Sequence, residues 1–361
     1  MKKILTLACF SLLCLLTYSQ DWTLGPFVKT KENPIAKADS TLTFFCPVKK
    51  EVVKWQRADV FNPAAIVKDG KVYLFTRCED NPKAILGGRT SRIGLSTSTD
   101  GIHFMKHPEP VLFPTDDKFK ELDYPGGCED PRIVETEDGL YVIAYTSWNT
   151  KIARLSIAFS KDLYHWEKKG AAFAKAFDGK FMNIWSKSGS IVTKMKNNRP
   201  VVAKINGKYW MYWGEQFVNL AWSENLYDWY PLLDEKGELK KIVVPRAGKF
   251  DSNLTECGPP ALITDKGILL IYKGKNATNE KADPTLPKGT YSVGQVLFSL
   301  DNPEKVIART DTCVLKPSLP HEITGQYTAG TTFSEGLVFF KNKWFLYYGT
   351  ADSFVGLAVK E

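Results

Sequence analysis

The sequence is poor in the residues that metal and redox chemistry use. Its four histidines sit in bland settings: His103 and His165 beside an aromatic that closes a strand run, His107 next to a loop proline, and His321 after Pro320. Of the seven cysteines, Cys9 and Cys14 fall in the leading apolar segment. The others, Cys46, Cys78, Cys128, Cys257 and Cys313, show no CxxC or CxH spacing. That pattern argues against a zinc site and against a full disulfide framework, and leaves room for one disulfide. No cofactor or metal is implied. Lysine and arginine form no block apart from the acids, so a nucleic-acid partner is not expected. Past residue 16 no run is long and apolar enough to span a membrane.

What the N-terminus does have is Lys2-Lys3, an apolar stretch from Ile4 to Leu16, and the small-residue segment Thr17-Tyr18-Ser19. This order predicts a secretory signal peptide over residues 1–19 and an exported protein, periplasmic or extracellular. Neither Cys9 nor Cys14 follows the small residues that lipid attachment needs. Losing Lys2 and Lys3 takes the formal charge from +8 to +6.

Phe, Tyr and Trp number 21, 15 and 10, and Gly and Pro 26 and 20. Many aromatics among many turn formers predict a large all-β fold. The chain also repeats. Strand-like runs open at 62, 130, 189, 258 and 330, each followed by a turn (Asp69-Gly70, Asp138-Gly139, Asn206-Gly207 or Lys266-Gly267 in the first four) and further strands. Antiparallel units recurring every 59 to 72 residues predict a single-domain five-bladed β-propeller over residues 20–361. The fifth unit stops before its outermost strand. The segment Leu42–Val48 is expected to supply that strand and close the ring.

The second unit opens on Gly126-Gly127-Cys128-Glu129-Asp130-Pro131-Arg132. Pro131 is expected to push Asp130 into an extended conformation, and the glycines to let the backbone enter at an unusual angle. In a propeller the unit openers meet at one mouth, which brings Asn62, Asp130, Gly189, Glu256 and Gly330 together. Residues leaving the second strands arrive beside them: Arg77 with Glu79 and Asp80, Ser147, Glu215, Lys273 and Asp352. Separated carboxylates with Asn and Arg in a funnel suit glycoside chemistry, one acid protonating the leaving oxygen and another activating water.

The stretches Phe61-Asn62-Pro63-Ala64-Ala65, Ser91-Arg92-Ile93-Gly94-Leu95-Ser96, Glu129-Asp130-Pro131-Arg132, Gly258-Pro259-Pro260 and Tyr348-Gly349-Thr350-Ala351-Asp352 resemble glycoside hydrolase family 130. That family holds the β-mannoside phosphorylases and β-mannosidases on a five-bladed propeller. The resemblance implies that Asp130 is the general acid, acting through a sugar hydroxyl, and that Asn62, Arg77 and Asp352 hold the mannose. Arg92 and Lys187 would line the same funnel. Glu215 and Glu256 resemble the carboxylates of the hydrolytic members. Arg77 has a structural alternative as ion-pair partner of Glu79 or Asp130, Arg92 as a strand-entry residue, and Glu215 as a solvated strand end.

The expected activity is that of an inverting exo-β-mannosidase on β-mannosides, 1,2-linked ones included, with an oligosaccharide or glycan as partner. The family's phosphorylases carry a histidine in a cationic cluster after the second strand of the third blade. Here that stretch reads Trp213-Gly214-Glu215-Gln216-Phe217-Val218-Asn219-Leu220, with a glutamate instead. A phosphorylase remains the nearest alternative, with Lys204 as the residue that favours it. A non-catalytic sugar-binding propeller and an arabinan- or fructan-cleaving enzyme are the others.

Overall fold

The computed structural model describes residues 21–84 and 88–361; the expected signal peptide, residues 1–19, lies outside them. The described chain is all-β apart from one helical turn at Lys120–Asp123 and a 3-10 turn at Pro320–Glu322. Its strands form five antiparallel meanders. The first runs through Asp59–Lys68, Lys71–Glu79, Ser91–Ser98 and Met105–Lys106, and the second through Gly127–Glu135, Tyr141–Trp148, Ala153–Ser160 and Glu167–Ala171. In the third, Ser190–Lys196 leads to Lys208–Trp213, Val218–Ser223 and Trp229–Pro231. The fourth lays Leu254–Cys257 and Ala261–Thr264 on Gly267–Lys275, followed by Tyr291–Phe298 and Val306–Arg309. Phe333–Phe340, Lys343–Thr350 and Phe354–Lys360 make the fifth.

Local chemistry explains the turns. Asp69-Gly70 and Asn206-Gly207 both take left-handed φ at both positions (49° and 70°, 52° and 78°), which is what a two-residue hairpin turn needs and what these residues tolerate. Third strands end on a shared device. Ser98 Oγ accepts the Gly101 N–H at 2.8 Å, Ser160 Oγ that of Leu163 at 2.8 Å, and Ser223 Oγ that of Leu226 at 2.9 Å. In the first two, Asp100 and Asp162 also bind the imidazoles of His103 and His165, so these histidines serve turns.

Every meander buries its faces against its neighbours in chain order. Phe75 and Ile93 pack with Ile133 and Ile143, Val142 and Leu155 with Met211 and Trp213, and Tyr212 and Leu220 with Leu270 and Val296. Ile271 and Val293 meet Leu337 and Leu346, and Val338 and Tyr347 come round to Val60 and Leu74. Each buried Leu, Val or Phe contributes about 1.5–3 kcal/mol. First strands also touch directly, as where Val192–Lys194 pairs in parallel with Ala261–Ile263.

The fifth meander is completed from the N-terminal side, but not by the segment expected. Val28 and Lys29 pair with Val359 and Ala358, Asn33 Oδ1 accepts the Leu357 N–H at 2.8 Å, and Lys29 Nζ reaches Glu322 at 2.6 Å. Leu42–Val48 instead contains one arm of a separate hairpin, Phe44–Cys46 with Glu51–Val53. Its Phe44 and Val53 join Trp55 in the cluster shared by the fifth and first meanders. Five cysteines are free among the described residues. Deleting residues 21–31 is expected to strip Phe27 from the core and bare the edge of Phe354–Lys360, lowering stability by about 2–4 kcal/mol and promoting aggregation. Thermal melting with light scattering checks this, and a truncated chain that melts with the intact one would contradict it.

Candidate active site

The period of two along a strand sorts the first meander's polar residues onto two faces. Arg77, Glu79 and Ser91 share one face. Arg77 Nη2 donates to Glu79 Oε1 at 2.7 Å, and Arg77 Nε reaches Ser91 Oγ at 3.1 Å. Their immediate neighbours look the other way. Arg92 is fully buried, donates to Asp80 Oδ2 at 3.0 Å, and lies over the Phe44 ring at 5.2 Å. Arg92 therefore does not line the cavity as expected, and Asp80 faces away with it. Both lock the Phe44 hairpin to the first meander.

Asp130 is not extended as expected: its φ is +47°, and a bulge between Glu129 and Arg132 accommodates it. Asn62 repeats the arrangement, with φ +46° at a bulge between Phe61 and Pro63. Ser188, one residue before the expected opener Gly189, has a left-handed φ of +60° in the third meander. Left-handed φ at a non-glycine residue costs on the order of 1–3 kcal/mol and persists only where the surroundings fix it. Here it turns side chains off the strand. Asn62 Nδ2 donates to Asp130 Oδ1 at 2.8 Å, Arg77 Nη1 lies 3.3 Å from the same oxygen, and Lys187 Nζ is 3.4 Å from Oδ2. Gly127 is required: a Cβ there would stand 2.1 Å from the Ser91 carbonyl oxygen.

Glu215 and Glu256 face the same cavity from the third and fourth meanders, and Asp352 from the fifth. Ser188 Oγ donates to Glu256 Oε1 at 2.5 Å, with Lys273 Nζ 3.6 Å from that oxygen. Trp185 Nε1 donates to Glu215 Oε2 at 2.5 Å. The cavity encloses about 340 Å³. Among its lining side chains, six are acidic (Glu79, Glu129, Asp130, Glu215, Glu256, Asp352) and two basic (Arg77, Lys187). Asn62, Arg77, Asp130, Lys187, Glu215, Glu256 and Asp352 thus converge, whereas Arg92, Asp80, Ser147, Lys273, Gly189 and Gly330 do not line the cavity. Arg77 is both an ion-pair partner of Glu79, Glu129 and Asp130 and a wall of the cavity.

Burial and charge oppose each other throughout this site. Burial raises Asp130, but Lys187, Arg77 and Arg132 outweigh it and hold the carboxyl well below the usual range. Its neighbour Glu129 is pushed up by burial that Arg77 and Lys187 only partly offset. Asp352 rises to about 6 for the same reason, and burial also raises Glu256. Lys187 stays charged: burial works against it, and Glu215, Asp130, Glu129 and Glu256 overcome it.

Sequence reasoning missed what lies beneath. Glu335, fully buried, takes Arg132 Nη2 at 2.6 Å and stands 3.7 Å from Lys273 Nζ. Arg132 also donates to the carbonyls of Asp130, Cys257 and Gly258 at 2.9, 3.1 and 3.3 Å, tying three meanders under the acid. Lys273 is therefore a floor residue rather than part of the mouth. Glu335 sits at another first-strand bulge, between Ser334 and Gly336. The expected frame put Gly330 there instead. Lys204 lies outside the cavity, over the Tyr209 ring at 4.8 Å. The tryptophans Trp148 and Trp185 in the wall were also unmarked in the sequence.

Residues 28–361 match the glycoside hydrolase family 130 model, described as β-1,4-mannooligosaccharide phosphorylase. A 1,2-β-oligomannan phosphorylase of Thermoanaerobacter sp. (strain X514) is 33% identical over 313 residues, covering 85% of this chain and 92% of its own. Among solved structures, a putative glycosidase from Bacteroides thetaiotaomicron VPI-5482 is 54% identical with a TM-score of 0.93, covering 94% of this chain and 97% of its own. A further structure, 48% identical with a TM-score of 0.93 and coverages of 94% and 95%, comes from work describing hydrolases within this phosphorylase family that target β-1,2 mannosidic linkages in Candida mannan.

Proposed function

The chain belongs to glycoside hydrolase family 130, a family of glycoside-active enzymes, and we propose that it is an exported, inverting exo-β-mannosidase acting on β-1,2-linked mannosides. The observation that carries this reading is the excess of acids in the cavity, with Glu215 and Glu256 both facing it. A phosphate dianion beside the anomeric carbon would meet those carboxylates, while both lining cations are already engaged with Glu129 and Asp130. Like charges at such range are strongly unfavourable in a buried site. Water has no such penalty. Glu215 or Glu256 takes a proton from water, whose oxygen bonds to the anomeric carbon. The bond from that carbon to the leaving oxygen breaks, and that oxygen receives a proton through the Asp130 side. Attack opposite the leaving group yields α-mannose.

The fold proposed for this chemistry is a five-bladed propeller formed by residues 20–361. Five apolar clusters shared in cyclic order, the last between fifth and first meanders, support it. Export rests on the charged, apolar, small-residue order of residues 1–19, and it favours hydrolysis, because a sugar phosphate made outside the cytoplasm would lose its value.

A phosphorylase is the second reading, favoured by the names of relatives such as the 1,2-β-oligomannan phosphorylase. Digestion of β-1,2-mannooligosaccharides with and without phosphate separates the two. Free mannose, first seen as the α-anomer and at equal rate in both reactions, is the expected result. Phosphate-dependent mannose 1-phosphate would overturn it.

A further inference from the structure

Trp185 stands out from the other tryptophans. It is 54% exposed, the one tryptophan exposed to that degree among the described residues, yet it lines the cavity. Its exposure does not come from a loose loop. Two residues before it, Asn183 Oδ1 accepts Arg154 Nε at 3.1 Å and Nη2 at 2.7 Å. One residue after it, the Ser186 N–H donates to the Ala153 carbonyl at 3.0 Å and Ser186 Oγ accepts the Leu155 N–H at 3.0 Å. The next residue, Lys187, accepts the Gly214 N–H at 2.9 Å. Both flanks are thus pinned to neighbouring strands. Trp148 packs against the indole at 5.6 Å in an edge-to-face contact. A rigid backbone therefore holds a large apolar face in water, at a cost that an occupant would remove.

The indole is also oriented by chemistry. Its N–H is spent on Glu215 Oε2, so the edge points at a carboxylate of the site while a face stays open. The inner part of the cavity, by contrast, is polar, built from the buried Asn62 and Asp130 and the half-buried Arg77. A sugar held there leaves its neighbour across the scissile bond further out, where the wall is Trp185. Pyranose rings present an apolar C–H face of the size an indole covers.

Resting on the mannoside reading above, we infer that Trp185 does two things: its face forms the subsite for the leaving sugar, and its N–H positions Glu215. Two substitutions separate the roles. Trp185→Phe keeps an aromatic face and loses the N–H; Trp185→Ala loses both.

Binding is read by calorimetry in an Asp130→Asn background, with β-1,2-mannobiose and mannose as probes. Trp185→Ala is expected to weaken mannobiose binding about tenfold and to leave mannose within about twofold, while Trp185→Phe retains mannobiose. Undiminished mannobiose binding by Trp185→Ala overturns the subsite, as does an equal loss for mannose. If the Asp130→Asn protein itself binds neither sugar, the mannoside reading fails, and the inference with it. In otherwise native enzyme, Trp185→Phe is expected to lower kcat about tenfold or more with KM nearly unchanged. A native kcat in that variant removes the positioning role.

Discussion

Asp130→Asn is expected to lower turnover of β-mannosides by about a hundredfold or more while leaving the fold and sugar binding in place. The substitution keeps the size of the side chain and the bulged left-handed backbone at this position. What it removes is the charge that Lys187, Arg77 and Asn62 surround. A carboxylate held so far below its usual range carries no proton at neutral pH. It is poorly suited to protonate the leaving oxygen directly, and well suited to accept a hydrogen bond from a sugar hydroxyl that relays its own proton. An amide cannot drive that relay. Steady-state kinetics with circular dichroism and melting as fold controls make the test. Unchanged turnover would take Asp130 out of the mechanism, and a parent protein with no turnover to lose would point to the sugar-binding alternative.

The largest effect on stability is expected at Arg132. Replacing Arg132 by Leu removes a donor from three backbone carbonyls, of which Gly258 keeps Ser190 Oγ, and leaves Glu335 without its closest cation. Breaking a buried pair from one side costs roughly 3–5 kcal/mol, because the carboxyl left behind must either stay charged without a close partner or take up a proton. Burial already lifts Glu335 to about 8, against the attraction of Arg132 and Lys273. A folded value above the unfolded one means that the folded state binds more protons. Glu335's contribution is therefore complete below the unfolded value of about 4.5 and is lost as pH rises towards about 8. Without Arg132 that loss should extend to higher pH. Urea unfolding at several pH values reads both effects, and a variant with the parent's midpoint would show that the guanidinium is dispensable.

The sequence carried the meanders because turns and strand periods are local. Asp69-Gly70 and Asn206-Gly207 adopt the left-handed pair that their composition announces. The site acids followed from the same frame, since unit openers and second-strand ends recur at equivalent points of each meander. Direction was harder to read. Arg92 differs from Ser91 by one position and hence by a whole face of the sheet, and residue type alone does not reveal register. Glu335 escaped notice, and Lys273 was placed at the mouth rather than beneath it, because a buried ion pair exists only once three meanders converge. The closing strand was misread for a similar reason. Phe44-Phe45 has the apolar signature of a strand, whereas Val28-Lys29 is two residues long and carries no period at all.

That short strand has a consequence for how the chain is made. Asn33 is bound to Leu357, 324 residues away, so the fifth sheet cannot finish while the polypeptide is still emerging. The four sheets before it can assemble in order during synthesis, each on the one preceding. The first then waits with an unsatisfied apolar flank, and the N-terminal segment with it, until the C-terminal strand arrives. Joining such distant segments is slow, because loop closure must come before the contacts that reward it. The interval is the stage at which a holdase would have something to bind. A circular permutant with the native ends linked and new ends opened between two middle sheets would move that vulnerable seam elsewhere in the fold.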